Sequence, residues 1–148
     1  MNKFNVFFLA TLSSLIPFSA QAQPTAKLTV VIDGLRHQTG QVCLRIYSNE
    51  QGFPGSAKGM VQSGCTKITG NSATKDFYGL KPGNYAVSLY ADKNSDSKLN
   101  TNFLGIPSEG FGISNNPKVK TRAPKFKEAS FNLSQNKTIL ITMQYLFK

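Results

Sequence analysis

Residues Tyr78–Tyr90 read YGLKPGNYAVSLY, and this stretch decides the fold class. After Pro82-Gly83, Tyr85, Val87 and Leu89 alternate with Ala86, Ser88 and Tyr90. A period of two is the signature of a strand with one face toward a core. Proline followed by glycine suits a type II turn, the proline fixing φ at one corner and the glycine accepting positive φ at the next. The stretch is therefore a strand, a tight turn and a second strand.

Working outward, the same alternation recurs. Leu28, Val30 and Ile32 end at Asp33-Gly34, a strand meeting a turn. Val42, Leu44 and Ile46 form one face of a strand whose other face carries Gln41, Cys43, Arg45 and Tyr47. Met60–Thr69 is a shorter, irregular candidate, Ala73–Tyr78 precedes the turn, and Phe131 and Leu133 give a brief alternation. Ile139, Ile141, Met143, Tyr145 and Phe147 line one face of a last strand. That makes about seven strands and no convincing amphipathic helix. The expectation is an all-β chain: a single antiparallel, immunoglobulin-like β-sandwich with one long ordered loop.

The chain starts differently from the rest. Lys3, an apolar run from Phe4 to Phe18 and the ending Ala20-Gln21-Ala22 describe a secretory signal peptide over residues 1–22. Asn5, Thr11, Ser13, Ser14 and Pro17 interrupt the run, and a bilayer span needs about 20 mainly apolar residues. No later segment of the mature chain is long enough to span. Residues 23–148 then form one domain of an exported protein, periplasmic or secreted. The strong final strand resembles that of an outer-membrane barrel, but such barrels need at least eight strands of about ten residues.

The chain carries 17 Lys and Arg against 7 Asp and Glu, a formal charge of +10 that falls to +9 without Lys3. Excess positive charge favours polyanions. Export argues against nucleic acid and leaves an envelope protein or an anionic glycan or lipid surface as partner. The densest basic patch is Lys118, Lys120, Arg122, Lys125 and Lys127. It also reads as a solvated stretch that discourages sheet aggregation. Cys43 and Cys65, an even pair in an exported chain, are expected to form a structural disulfide.

Asp92–Lys127 interrupts the strand pattern. Loops beyond about 15 residues in a compact domain usually carry function. Phe103, Leu104, Ile106, Phe111 and Ile113 argue for an ordered loop, because such residues cover apolar surface. Asp92, Asn94 and Asp96, with the carbonyl of Lys98 and with Asn100, occupy alternate positions of an EF-hand-like or dockerin-like calcium loop. Ser97 stands where the EF-hand has glycine, and Phe103 where it has the closing glutamate. Any calcium affinity is therefore expected at about 0.1–1 mM. The alternative is a polar turn whose Asp and Asn side chains bond their own backbone.

Enzyme signatures are sparse. Glu109 with Asp92 or Asp96 is the one carboxylate set that a small hydrolase-like site could use. His37 follows Arg36 in a turn region, and there is no nucleophile elbow, no zinc-protease motif and no phosphate loop. The expected role is a non-catalytic envelope binding module. The other readings are that enzyme and an assembly protein pairing through a sheet edge.

One resemblance bears on the loop. DKNSDSKLNTNFLGIPSEGFGISNN, followed by a basic stretch and KFKEASFNL, resembles a bacterial exported family known as domain of unknown function family 2141. Its acidic-Asn loop, Gly-Ile-Pro-x-Glu-Gly core and aromatic-Gly-x-Ser tail match Asp92, Asn94, Asp96, Gly105, Ile106, Pro107, Glu109, Gly110, Phe111, Gly112 and Ser114. That family commonly has Gly at the position of Ser97 and Asp at that of Asn100. The resemblance implies no activity. YGLKPGNYAVSLY also looks like the strand–turn–strand of transthyretin-like and carboxypeptidase-regulatory-like sandwiches, an analogy of fold alone.

Overall fold

A computed structural model describes residues 24–119 and 121–146. The expected leader, Lys120 and Phe147 lie outside them. Eight strands and one short helix follow in chain order: β1 (Ala26–Asp33), β2 (Gln41–Tyr47), β3 (Met60–Lys67), β4 (Ala73–Leu80), β5 (Gly83–Asp92), β6 (Phe111–Ile113), α1 (Phe126–Ala129), β7 (Phe131–Leu133) and β8 (Lys137–Thr142). They build a sandwich of two sheets, one ordered β4-β1-β8 and the other β3-β2-β5-β6, with β7 also on β5.

The core follows from the alternation. Leu28, Val30 and Ile32 of β1 face Val42 and Ile46 of β2 across the sandwich with Ile141 of β8, all of them fully buried. Each such side chain contributes about 1.5–3 kcal/mol by leaving water. The opposite faces divide. Thr29 and Val31 on β1 stay half-exposed, whereas β5 is buried on both faces from Tyr85 to Asp92. Cys43 and Tyr47, on the β2 face expected to be more polar, are buried as well. Cys43 is bridged to Cys65 on β3, and the cover of Tyr47 is irregular chain, which a period of two does not encode. Phe53 from the loop after β2 inserts between Tyr47 and Phe126, with ring centroids 5.2 and 5.9 Å away. Ala86, Ile113 and Ala129 complete this second, smaller core.

Four expectations are corrected. The sheets are not wholly antiparallel: β8 runs parallel to β1, with Leu28 opposite Lys137 and Asp33 opposite Thr142. β4 already occupies the other edge of β1 in antiparallel register, and β8 enters beside the start of β1, where Asn136 accepts the Lys27 amide. The segment read as loop holds a strand, β6, which brings the described residues to eight strands, in keeping with the expected about seven. α1, closing that same segment, is a helix of 4 residues, too short for a hydrophobic period to reveal.

The third correction concerns the turn. Positive φ falls at Gly79 (73°), and Gly83 is not among the positive-φ residues, because it already pairs with Leu133 as the first residue of β5. From Ala26 to Leu28 the partner on β4 moves from Leu80 to Phe77, so β4 carries one extra residue. Gly79 sits in that bulge, where a left-handed residue is needed. The fourth is that Phe103 and Leu104 do not cover surface: they stand 94% and 67% exposed at the tip of a turn closed by the Gly105 amide on the Asn102 carbonyl.

Candidate functional site

The end of β5 delivers Asp92 to a position with no exposure at all. Its carboxylate organises the turn that follows. Oδ1 accepts the Asp96 amide at 3.1 Å, and Oδ2 accepts the Ser97 amide at 3.0 Å and the Gln41 side-chain amide at 2.8 Å. Asp96 in turn accepts the Lys98 amide at 2.9 Å and the Asn94 side-chain amide at 3.0 Å. The Lys98 amide, with Asn94 and Asn100 helping, holds the Asp96 carboxyl below its ordinary range. The Tyr90 hydroxyl donates to the Ser97 carbonyl at 2.6 Å. Ser97 itself has φ of 61°, the left-handed region that glycine enters without steric cost.

Glu109 ties the two ends of the loop together. Its carboxylate accepts the Lys93 amide at 3.2 Å and the Asn100 amide at 3.1 Å. Farther out, Asn102 Oδ1 accepts the Leu104 and Ile106 amides, and Ser108 donates to the Asn100 carbonyl. Thr101 and Pro107 face one another as a bridge. The oxygens of Asp92, Asn94, Asp96 and Glu109 thus bond loop amides, the self-bonded use of such residues. Among the described residues no group of three or more His, Cys, Asp and Glu side chains is placed to hold a metal ion. Because calcium would have to displace these hydrogen bonds, the expected result is an unchanged melting temperature at millimolar calcium against chelator. A rise of several degrees, with heat on calorimetric titration, would mean that these oxygens turn to an ion.

Beyond Glu109 the chain becomes β6. Ser88, Leu89 and Tyr90 pair with Ile113, Gly112 and Phe111. A Cβ on Gly110 would lie 2.5 Å from the Tyr145 ring, and one on Gly112 would lie 2.7 Å from Ile141 and 2.8 Å from Leu89. Both glycines therefore let backbone pass close to core side chains. Ser114 closes the gap between β6 and β7, which follow one another along the same edge of β5. Its hydroxyl accepts the Val87 amide at 2.9 Å and donates to the Ala129 carbonyl at 2.7 Å.

The return segment, residues 117–119 and 121–125, borders the outer face of the second sheet and is latched at its far end. Arg122 grips Glu128 with two nitrogens at 2.8 and 2.9 Å, and Glu128 also accepts the Lys125 amide. First the Arg122 hydrogen bond and then the Lys125 amide lower the Glu128 carboxyl from its usual 4.5 to about 2. A depressed carboxylate contributes above its unfolded value and loses that contribution as pH falls through its folded one. The latch should therefore be whole above about pH 4.5 and release toward pH 2. A carboxyl titration of Glu128 by NMR checks this. Arg122→Gln should move the midpoint back up toward the ordinary value.

Between the loop and the return segment lies a groove of about 960 Å³. Its floor is the outer face of β5 and β6, with Ser88, Tyr90, Phe111 and Ile113. Leu99, Ile106 and Pro107 of the loop form one wall, and Val119, Ala123 and Pro124 the other. Arg45, Lys98 and Arg122 line it too, and no carboxylate is among its lining residues. Arg45 stacks over the Tyr90 ring at 5.4 Å and donates to the Gly55 carbonyl at 2.6 Å.

The motif that threads this site matches a family profile, described as "Uncharacterized protein conserved in bacteria (DUF2141)", over residues 30–140. The chain belongs to that family. No curated protein and no solved structure matches it.

Set on the structure of this DUF2141 chain, the motif residues hold the loop and β6 in place. Gly105 has φ of 74°, Glu109 joins the loop ends, Gly110 and Gly112 permit close passage, and Ser114 bridges β5 to the end of α1. Cys43 and Cys65 form the expected disulfide and stand directly opposite on β2 and β3. No helix among the described residues is long and apolar enough to cross a membrane. No sequence motif marks the groove. Arg45, Tyr90 and Val119 carry no motif, and their only sequence signal is that Arg45 and Tyr90 share the outward parity of two neighbouring strands.

Proposed function

We propose that this chain is an exported, non-catalytic binding module of the bacterial envelope, periplasmic or secreted, that takes its ligand in the groove over β5 and β6. The groove carries the reading. It lies at the upper end of the about 300–1,000 Å³ typical of ligand sites, and a hydrogen-bonded sheet backs it. Its loop wall is held by amide–carboxylate bonds, so its shape exists before a ligand arrives, which lowers the ordering cost of binding. The carboxylates that a hydrolytic reading would use, those of Asp92, Asp96 and Glu109, bond amides of the loop. The leader-like Met1–Ala22 and the disulfide both suit an oxidising compartment.

The test is binding of an environment-sensitive naphthalene sulfonate dye to the mature protein. Saturable fluorescence enhancement is expected, lost in Ile106→Glu, which puts a charge in the groove wall. Melting of that variant should stay within a few degrees of the parent, since Ile106 is only half-buried. An absence of saturable signal in the parent would remove the groove from consideration. Fractionation of the producing cell checks export, with the protein expected outside the cytoplasm and its cysteines closed to alkylation.

A further inference from the structure

The lining of the groove is chemically lopsided. Leu99, Ile106, Pro107, Phe111, Ile113 and Val119 give it an apolar body. The charges that reach it are all positive, from Arg45, Lys98 and Arg122. They are not equivalent. Arg122 is neutralised by its two-pronged grip on Glu128. Arg45 uses one nitrogen on the Gly55 carbonyl and keeps further N–H groups of its guanidinium. Lys98 is exposed on the loop and lines the groove, its own amide bonded to Asp96 and its cation within electrostatic reach of that exposed carboxylate. A long apolar trough with cationic groups along it complements a molecule with an apolar chain and one anionic end. A short polyanion would find too little polar surface here, and a neutral hydrocarbon would leave the Arg45 guanidinium facing the groove with only the Gly55 carbonyl and the Tyr90 ring.

The same loop adds a second observation. Phe103 and Leu104, 94% and 67% exposed, stand next to Gly105, Ile106 and Pro107, which line the groove. Large apolar side chains that solvent surrounds on a turn tip suit transient insertion into a lipid surface. Their place beside the groove wall would bring its mouth to that surface. The excess of basic residues in the chain favours approach to an anionic one.

The geometry points to a single-chain anionic amphiphile, a long-chain acyl carboxylate, as the ligand of this groove, its chain along Leu99, Ile106 and Phe111 and its carboxylate between Lys98 and Arg45. This rests on the groove being the binding site, as proposed above. No bond is made or broken, and the ligand is carried unchanged.

The experiment is displacement of the naphthalene sulfonate dye from delipidated mature protein by palmitate, by neutral monopalmitoylglycerol, and by a Lys/Arg-complementary acidic peptide without an acyl chain. Palmitate is expected to displace at micromolar concentration, and monopalmitoylglycerol about tenfold or more weakly, the difference of one charge-assisted contact. Lys98→Gln should bring palmitate down to the level of the neutral lipid, whereas Lys81→Gln, on the β4–β5 turn, should leave it unchanged. Lys98 is exposed, so its variant keeps the fold and the comparison interpretable. Dye that binds saturably but yields equally to both lipids would overturn the anionic assignment and leave the groove as a site. Displacement by the acidic peptide in preference to palmitate would overturn the acyl assignment. Failure of the dye itself to bind would end both readings.

Discussion

Asp92→Ala should lower unfolding free energy by about 2–4 kcal/mol, the largest single-residue effect expected in this chain outside the apolar core. The carboxylate is fully buried and accepts from the amides of Asp96 and Ser97 and from the side chain of Gln41. A hydrogen bond to a charged group contributes about 1.5–3 kcal/mol, and a buried donor left unpaired costs about 1–3 kcal/mol. The two loop amides lie at exposed residues, so water recovers part of that loss. The Gln41 amide, half-buried beside β5, recovers less. Asp92→Asn keeps one acceptor oxygen and should cost less than Asp92→Ala. Urea denaturation measures both, and hydrogen exchange locates the damage: the Ser97 amide should lose protection first. An alanine variant that unfolds at the parental urea concentration would mean that the turn is held by something other than this carboxylate.

Removing the disulfide should cost about 3 kcal/mol, the loop-closure entropy for cysteines 22 residues apart. The bridge joins β2 to β3, and β3 ends its sheet with alternating half-buried and exposed residues. Few core contacts hold that strand, so the bridge restrains an element that would otherwise open locally. The double variant Cys43→Ala, Cys65→Ala should unfold at lower denaturant, with exchange at β3 amides rising most. Reductant on the parent should reproduce the shift. Equal midpoints with and without reductant would show that the hairpin needs no staple.

Much of the fold was legible because its signal is local. Leu28, Val30 and Ile32, then Val42, Leu44 and Ile46, alternate as a one-sided strand must, and those are the residues that meet in the core. Cys43 and Cys65 were paired by count and compartment, and β2 and β3 place them face to face. β6 was hidden because three residues, one a glycine, carry too little pattern to separate strand from loop. Phe103 and Leu104 depart from the expected burial because hydrophobicity gives only a preference for it, while the turn at Asn102–Gly105 holds both side chains in solvent.

Local chemistry in the chain is enough to specify a β-sandwich stapled once, with a loop of Asp, Asn, Gly and Glu residues that bond their own backbone. A strand period, a left-handed turn position or a carboxylate within reach of the next amides acts over a few residues, and so can be read in a line of letters. Three-dimensional packing alone places cover over the outer face of β5 and gathers Arg45, Tyr90, Lys98, Ile106 and Val119 around one groove. Those residues are distant along the chain, and their convergence depends on how β6 and the return segment pack across the sheet, a long-range outcome that no local period records.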